Sequence, residues 1–398
     1  MATQHNCVTH IIKSDLHSYN STCQYHQTMA KQFFIKFCIT ILLKFKDNTE
    51  KMYNFVLSNN AEKNFGFYKR ELVKLRLNTS IMNYYEQQKA RQEALINDRI
   101  IFDGVAGGGI FWGKERPFVL QKPDANLYSS IRENAKDYFA ENDIKWWHGN
   151  SPTGHTLSSQ IACLNHLMPI MNDPKAVLAL INGIRNEFTE VLPIRCDKHP
   201  AYISFEVVSS DDHLNEKYST RGSNCTSVDA LIMTKHQSGK TILIPIEWKY
   251  TESYSNSDKS TEGELKKKGL ERQRRYNKLI DNSYQLVSLE QYEGSVYYQE
   301  PFYQLMRQTL WAELVIKNKE TECLKADDYW HIHVIPETNE TLLFRKYKVS
   351  GREMEITWRN MLKNQSKYSL IDPEALFAPL SNTKEYSSLL NYLKVRYW

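Results

Sequence analysis

Residues 227–250 constrain the fold of this chain most strongly, because they contain two apolar runs separated by a short polar segment. The first run predicts a strand over about 227–234, and the second predicts a strand over about 242–250. The polar segment between them contains Gly239, which can adopt a positive φ at no steric cost. The pattern therefore predicts an antiparallel β-hairpin.

The second strand of this hairpin is apolar on both of its faces. Ile242, Ile244 and Ile246 project from one side of a strand, whereas Leu243 projects from the other. Strands of this kind are typical of sheets that helices cover on both sides. Helix-like segments precede and follow the hairpin, so we predict an α/β fold with a central mixed sheet flanked by helices.

Three ionisable side chains are expected to converge at one end of the hairpin. Opposite residues in an antiparallel pair have a constant sum of residue numbers, so Asp229 and Glu247, which are symmetric about Ser238, should face each other. Lys249 lies two residues beyond Glu247 and projects from the same face. Two facing carboxylates destabilise a bare hairpin, and a divalent cation would remove that cost.

This arrangement resembles the active site of the PD-(D/E)XK nuclease superfamily, in which an Asp on one strand precedes a Glu-x-Lys on the next. The matching residues are Asp229 and Glu247-Trp248-Lys249, and the resemblance, which is to restriction-endonuclease-like members, covers about residues 155–316. The residue before the Asp, usually Pro in the superfamily, is valine in this chain. The alternative is a surface strand with an ordinary Asp–Lys pair, because matches to short motifs are often accidental.

The resemblance implies a Mg²⁺-dependent nuclease that hydrolyses phosphodiester bonds, with Mn²⁺ as a substitute cation. Mg²⁺ prefers carboxylate and water oxygens, so Asp229 and Glu247 would be its charged ligands and the backbone carbonyl of Trp248 would be a third. The cation would acidify a bound water and offset charge on the phosphate. Lys249 would either orient the attacking water or neutralise the negative charge that develops during the reaction.

Two further residues are candidates for the same site. Gln160 opens an apolar helical run that Ser158 or Thr156 could cap, and its position matches the acidic or amide side chain that the superfamily often uses from this helix. Glu206 lies in the predicted first strand, where it could be an extra metal ligand or could support one. The ordinary alternatives are a capping residue and a solvated strand residue.

The densest basic stretch of the chain follows the hairpin, between residues 262 and 278. Its side chains could follow phosphates beside the cleavage point, although many such runs are solvated helix faces. A further helix is predicted over 303–316, where Arg307 and Gln308 could face either the substrate or the solvent. The candidates for contact with nucleic acid are Lys266, Lys267, Lys268, Arg272, Arg274 and Arg275.

Composition permits this function without requiring it. The net charge of +5 allows contact with nucleic acid. The 7 cysteines are odd in number and include no Cys-x-x-Cys pair, which argues against a disulfide framework and a zinc ribbon. We therefore expect a reducing, cytoplasmic compartment. The expected partner is double-stranded DNA rather than a membrane, and a homodimer is left open, since related enzymes often dimerise to cut both strands.

Residues 1–51 are expected to differ from the rest of the chain. Their first part is polar, and the apolar run after it is short and interrupted by Lys36. This argues against a membrane span and against a secretory signal. We expect a poorly ordered extension, or one that precedes a true translation start at Met52 or Met82. The alternative is that the apolar run forms a short buried helix or an interfacial segment.

Three regions are expected after this extension. Residues 52–150 should be mainly helical, residues 151–320 should form the nuclease-like core, and residues 321–398 should form an α+β region that packs against it. A glycine cluster over 104–109 lacks the Gly-Lys-Ser/Thr of a phosphate loop and predicts a turn or a lid.

Three shorter segments also carry local signals. An amphipathic helix is predicted over 125–140, and another helix is predicted to begin with Pro174 in its first turn. His331 and His333 resemble a metal pair, but their spacing favours alternation along a strand.

The sequence therefore predicts a metal-dependent DNA endonuclease of a restriction or phage-defence type. One alternative is a nucleic-acid-binding protein of the same fold that does not cleave. Another is a structural or interaction protein whose carboxylates merely pair with Lys249.

Overall fold

A computed structural model describes residues 82–217, 220–222, 225–254 and 257–398. The expectations for residues 1–51, and the helical interpretation of the residues that follow them as far as 81, lie outside the described residues. Within the described residues, no helix combines the length and the apolar character that crossing a bilayer requires.

Helices and strands alternate through the described residues in an α/β order. The α-helices are α1 (Tyr84–Asp98), α2 (Arg132–Glu141), α3 (Ser159–Leu167), α4 (Pro174–Ile184), α5 (Lys267–Asp281), α6 (Phe302–Lys317), α7 (Glu340–Leu343), α8 (Met354–Arg359), α9 (Pro373–Phe377) and α10 (Ser387–Arg396). The strands are β1 (Gly109–Phe111), β2 (Lys114–Arg116), β3 (Phe188–Leu192), β4 (Ser204–Val207), β5 (Val228–His236), β6 (Thr241–Trp248), β7 (Asp328–Tyr329), β8 (His331–Val334) and β9 (Tyr368–Ile371).

The larger sheet has seven strands of mixed orientation, with β5 and β6 at its centre. These two strands are antiparallel, with Ala230 opposite Ile246 and Lys235 opposite Thr241. On one side, β3 and β4 both pair antiparallel with β5. On the other side, β7 and β8 both pair parallel with β6, and β9 pairs parallel with β8. The predicted hairpin and the central mixed sheet are confirmed.

Helices cover both faces of this sheet, as predicted. Ile242, Ile244 and Ile246 belong to one hydrophobic cluster, which includes residues of α2, α3, α4 and α10. Leu243 belongs to a second cluster, which includes residues of α5, α6 and α8. Every residue of β6 is buried. A strand buried on both faces can carry a charged side chain only where that charge is paired, so Glu247 at its end requires partners.

Local signals set where the helices beside the sheet begin. Ser158, rather than Thr156, caps α3, because its Oγ accepts a hydrogen bond from the backbone N–H of Ile161 at 3.4 Å. Pro174 occupies the first turn of α4, where its missing N–H costs nothing. These two helix starts were predicted from short-range patterns and are confirmed.

Two predictions about local structure were wrong. The helix predicted over 125–140 begins only at Arg132, after two 3₁₀ turns. Asn126 prevents an earlier start, because it is buried and its side chain donates to two carbonyls of the loop at 153–155. In addition, β4 is not the first strand of the sheet, since β3 precedes it. The exposed residues Thr189 and Glu190 give β3 the pattern of an edge strand rather than an apolar run.

The glycine-rich segment leads into the small hairpin of β1 and β2, and Gly109 is the first residue of β1. A Cβ at Gly107 would lie 2.0 Å from the backbone oxygen of Pro117, and one at Gly109 would lie 2.4 Å from that of Leu120. No side chain fits at those distances, so glycine is required where these backbones approach each other.

Among the described residues, a disulfide joins Cys196 and Cys323, which are 127 residues apart in sequence. Cys163 and Cys225 are free thiols. The odd count and the missing Cys-x-x-Cys pair argued against a disulfide framework. Neither feature carries information about two loops that meet only when the chain folds, so this pair was not anticipated. The expectation of a reducing compartment rested on the same cysteine pattern, and the disulfide removes that support.

Candidate active site

The two central strands bring Asp229 and Glu247 together at the end of the hairpin. Continuing the register in which Ala230 lies opposite Ile246 places Asp229 opposite Glu247. Oδ2 of Asp229 also accepts a hydrogen bond from the backbone N–H of Trp248 at 2.7 Å, which holds this carboxylate against β6. The structure thus places the two acids as the constant residue sum predicted.

Glu247 and Lys249 form a buried ion pair. Nζ of Lys249 lies 2.5 Å from Oε1 of Glu247, and the two side chains are only 5% and 4% exposed. Gln308 of α6 donates a hydrogen bond to Oε2 of Glu247, and Gln304, one helical turn earlier, accepts one from Lys249. The amide of Gln308 therefore faces the site rather than the solvent, and α6 holds both members of the ion pair.

The two further candidates, Gln160 of α3 and Glu206 of β4, contact each other. Nε2 of Gln160 donates to Oε1 of Glu206 at 2.7 Å, and Oγ of Ser227 donates to Oε2 at 3.0 Å. Glu206 has a φ of 48°, which is uncommon for a residue with a side chain. Strained backbone of this kind is concentrated at functional sites, where the surroundings hold it in place. Both candidates therefore belong to a constrained polar cluster and not to the solvated surface.

A small cavity of about 10 Å³ separates α3 from the ends of β4 and β5. Its polar lining comes from Gln160, Glu206 and Asp229, and the rest of its lining is mostly apolar. A space of this size accommodates a single water molecule or a small ion. Carboxylate and amide oxygens are the ligands that Mg²⁺ prefers, so the chemistry of this donor set fits a hard divalent cation.

The donors do not form a ready-made metal cluster. Among the residues that the structure describes, no group of three or more His, Cys, Asp or Glu side chains is arranged to hold a metal ion. Both oxygens of Glu247 are already engaged, one by Lys249 and the other by Gln308. Adding Glu247 to the ligand set of Asp229 and Glu206 would require at least one of these contacts to open.

Burial and mutual repulsion shift the pKa values of the site residues. The pKa of Asp229 is raised well above its ordinary value by burial and then by Glu247, with Lys249 opposing the shift. Burial also raises the pKa of Glu206, against its two hydrogen bonds and with a contribution from Glu247. Burial would lower the pKa of Lys249, but the adjacent Glu247 raises it well above its ordinary value. A buried cluster of perturbed acids is a candidate functional site, and a divalent cation would offset the repulsion within it.

Two buried histidines of β8 continue the polar face of the sheet beside the ion pair. His333 lies opposite Glu247 in the parallel register of β6 and β8, and its Nδ1 lies 3.0 Å from the hydroxyl of Tyr368. Burial lowers the pKa of His331 to about 4, with Glu247 opposing, and lowers that of His333 well below its ordinary value. Both rings are therefore neutral at pH 7. The prediction that they alternate along a strand is confirmed by β8.

Sequence reasoning missed three neighbours of the site: Ser227, Gln304 and His333. A usable signal existed for Gln304, because it and Gln308 are amide residues four apart on a predicted helix and so share one face. His333 stood out as a polar residue in an apolar strand. Ser227 gave no such signal, since a serine at the start of a strand is common.

The structure divides the basic stretch between two surroundings. Arg272 and Arg275 of α5 line a cavity together with Arg307 of α6. The other candidates for contact with nucleic acid are exposed on α5 or just before it: Lys266, Lys267, Lys268 and Arg274.

In the presence of a chelator, we expect the raised pKa values of Asp229 and Glu206 to make the protein less stable as the pH rises. Because these pKa values are higher in the folded state than in the unfolded state, the folded state binds more protons. Their stabilising contribution is complete below the ordinary carboxyl pKa of about 4, and it is lost as the pH rises through the raised values. Thermal melts in EDTA, recorded as the pH rises from below about 4, should show a smaller loss of melting temperature for Asp229→Asn than for the wild type. Equal pH dependence of the two proteins would show that Asp229 ionises freely.

A comparison with known families gives one match. The model of a family described as Restriction Endonuclease associating with ARP matches residues 105–398. This range contains the three acids of the site, Glu206, Asp229 and Glu247, which we call the acid cluster, and the three arginines that line the cavity between α5 and α6. No curated protein and no solved structure matches the chain.

Proposed function

The chain belongs to the family described as Restriction Endonuclease associating with ARP, and from this membership and the geometry of the site we propose that it is a Mg²⁺-dependent nuclease that hydrolyses phosphodiester bonds. The family description indicates a nuclease or defence role with nucleic acid as the substrate. Our finer proposal is an endonuclease of restriction or phage-defence type that acts on double-stranded DNA in the cytoplasm. A homodimer is left open.

One observation carries this proposal: Asp229, Glu247 and Lys249 gather at the end of a buried central sheet. Burying two acids and one amine there costs free energy that a purely structural strand end would avoid by carrying apolar residues. Gln160, Glu206 and Gln308 add three more polar side chains to the same region. A cost of this kind is expected where the charges have a chemical role.

The charge of Lys249 limits what this residue can do. Its raised pKa keeps the ammonium protonated at neutral pH, so it cannot take a proton from the attacking water. We assign it the donation of hydrogen bonds, either to a phosphate oxygen, where it would neutralise developing negative charge, or to the attacking water, which it would orient. Either role requires Lys249 to exchange its contact with Glu247 or Gln304 for one with the substrate.

We assign the cation to Asp229, Glu206 and Glu247, with the backbone carbonyl of Trp248 as a further ligand. Mn²⁺ is expected to substitute for Mg²⁺, since both accept oxygen ligands. When bound, such a cation acidifies a coordinated water and offsets charge on the scissile phosphate. Gln160 holds Glu206 through the 2.7 Å hydrogen bond, and supporting contacts of this type orient metal ligands in proteins.

A nucleic-acid-binding protein of the same fold that does not cleave is the second candidate function. The contacts of Glu247 favour it, because both carboxylate oxygens are already engaged, one by Lys249 and one by Gln308. If these contacts persist in the presence of cations, Asp229 and Glu206 alone would bind Mg²⁺ too weakly for catalysis.

A plasmid assay decides between the two functions. We expect the purified protein to convert supercoiled plasmid to nicked or linear forms with Mg²⁺ or Mn²⁺, and to leave it intact in EDTA. Asp229→Asn, purified in the same way, controls for a contaminating nuclease. DNA binding without cleavage in any cation would support the second candidate. Neither binding nor cleavage of DNA or RNA would contradict both and favour a structural or interaction protein.

A further inference from the structure

A second, larger cavity of about 360 Å³ lies between α5 and α6. Its volume is within the range of sites for small ligands. Three arginines line it, Arg272 and Arg275 from α5 and Arg307 from α6, together with Tyr276 and Tyr303. We call this feature the arginine cavity. Its lining contains three guanidinium groups and one carboxylate. Two of these guanidinium groups are also paired with carboxylates outside the lining, Arg272 with Glu262 and Arg275 with Glu271.

The guanidinium group of Arg307 has unmet hydrogen-bonding capacity. Its Nε is buried and has no hydrogen-bond partner among the described residues. Its ion pair with Glu216 is 3.8 Å long, and that carboxylate already accepts hydrogen bonds from Thr226 and from the hydroxyl of Tyr276. Arg307 therefore holds donors for an anion that the surrounding protein does not supply.

Aromatic rings hold these guanidinium groups in place. The side chains of Arg272 and Arg307 lie 5.6 Å and 5.0 Å from the ring centre of Tyr303. Arg275 lies 5.7 Å from that of Tyr276. Arg272 and Arg275 each use one edge to donate to a carboxylate, Glu262 and Glu271 respectively. Stacking leaves the remaining edges able to donate, and the planar fork of arginine matches the oxygens of a phosphate group.

The arginine cavity and the acid cluster share a wall. Ser227 lines the arginine cavity, and its Oγ donates to Glu206 at 3.0 Å. Next to Arg307 in sequence, Gln308 donates both to the carbonyl of Ser227 and to Glu247. The acids repel a phosphate while the arginines attract one, so an anion entering this region is directed to the arginine side.

We propose that the arginine cavity is a phosphate-binding subsite beside the candidate active site. The phosphate belongs either to the backbone of a nucleic acid or to a free nucleotide, because both present the same oxygens to Arg307. The backbone source rests on the function proposed above, in which this subsite would hold a phosphate next to the one that is cut. The free-nucleotide source does not depend on cleavage.

Binding measured in EDTA tests the subsite apart from catalysis. The binding of labelled double-stranded DNA is followed by fluorescence anisotropy over a range of salt concentrations. We expect Arg307→Gln to weaken binding about 10-fold and to lower the slope of log K against log[salt] by about 0.9, the value for one lost phosphate contact. Lys317→Gln, which removes an exposed charge from the same helix, should leave the slope unchanged. Arg275→Gln and Lys278→Gln form a second matched pair on α5.

The source of the phosphate is tested by calorimetry with inorganic phosphate and with adenosine monophosphate. Binding of either by the wild type but not by Arg307→Gln, with an unchanged salt slope for DNA, would identify a free nucleotide. A lower salt slope for DNA binding by Arg307→Gln, with no binding of phosphate or the nucleotide by the wild type, would identify the nucleic-acid backbone as the source of the phosphate. Arg307→Lys guards against a folding defect, because it keeps the charge and should keep the slope while losing affinity.

The subsite and the proposed nuclease can fail separately. If no variant changes the binding of DNA, phosphate or the nucleotide, the subsite is excluded, even if the wild type cuts DNA. If the wild type never cuts but Arg307→Gln still lowers the salt slope or abolishes nucleotide binding, the subsite stands and the nuclease proposal falls.

Discussion

Replacing Asp229 with asparagine is expected to lower metal-dependent cleavage by roughly 10³-fold while leaving the fold intact. The asparagine carbonyl can still accept the backbone N–H of Trp248, which the aspartate accepts at 2.7 Å. What is lost is one charged ligand of the proposed cation site. The same change removes repulsion between Asp229 and Glu247, which helps to raise the pKa of Asp229. The variant should therefore be at least as stable as the wild type without metal.

Single-turnover cleavage, Mg²⁺ titration by calorimetry and thermal melting measure the three parts of this prediction. Glu290→Gln, at an exposed position, is the matched control and should cleave and bind Mg²⁺ like the wild type. Cleavage by Asp229→Asn within a few-fold of the wild type would remove Asp229 from the proposed ligand set. Loss of cleavage together with loss of folding would mean that the carboxylate has a structural role that asparagine cannot replace.

Replacing Lys249 with methionine is expected to destabilise the protein by about 3–5 kcal/mol and to abolish cleavage. Glu247 is only 4% exposed, and without Lys249 its negative charge would be left in the sheet with only the hydrogen bond from Gln308. The double variant Glu247→Gln, Lys249→Met leaves no unpaired charge, so it should recover most of the lost free energy of unfolding. It should still be inactive, because both proposed chemical groups are missing.

Urea unfolding of the wild type, both single variants and the double variant forms a double-mutant cycle for this pair. Lys240→Met, in the exposed turn of the same hairpin, should change the free energy of unfolding little. If the effects of the two single replacements simply add, Glu247 and Lys249 are not coupled and the buried ion pair does not describe the protein in solution. Cleavage by the double variant would exclude both residues from catalysis.

The central hairpin is the part of the fold that could best be predicted from the sequence. Alternation of apolar residues, a polar turn with glycine and a constant residue sum are local properties, and they placed Asp229 opposite Glu247 without any knowledge of the rest of the fold. The starts of α3 and α4 were predicted for the same reason, since capping serines and first-turn prolines act within a few residues. The family resemblance added the expected roles of these side chains, which no periodicity could supply.

The partners of the site were much less accessible. Arg307 and Gln308 are neighbours in sequence, and the helical pattern left open whether either side chain faced the substrate or the solvent. In the structure, Gln308 contacts Glu247 and Arg307 lines the arginine cavity. The direction in which each side chain faces depends on the rotation of α6 about its own axis. Packing against the sheet sets that rotation, and no single residue encodes it.

The sequence by itself determined the strands, the turn and the register of the central hairpin, because these depend on side-chain alternation and backbone preferences within one continuous stretch, residues 227–250. Only the tertiary structure decided which helix supplies the partners of Glu247 and Lys249, which arginines of the basic stretch share a cavity, and that Cys196 meets Cys323. Those contacts join residues far apart in the chain. Their geometry follows from how helices pack on both faces of a twisted sheet, and that packing is a property of all the apolar side chains together.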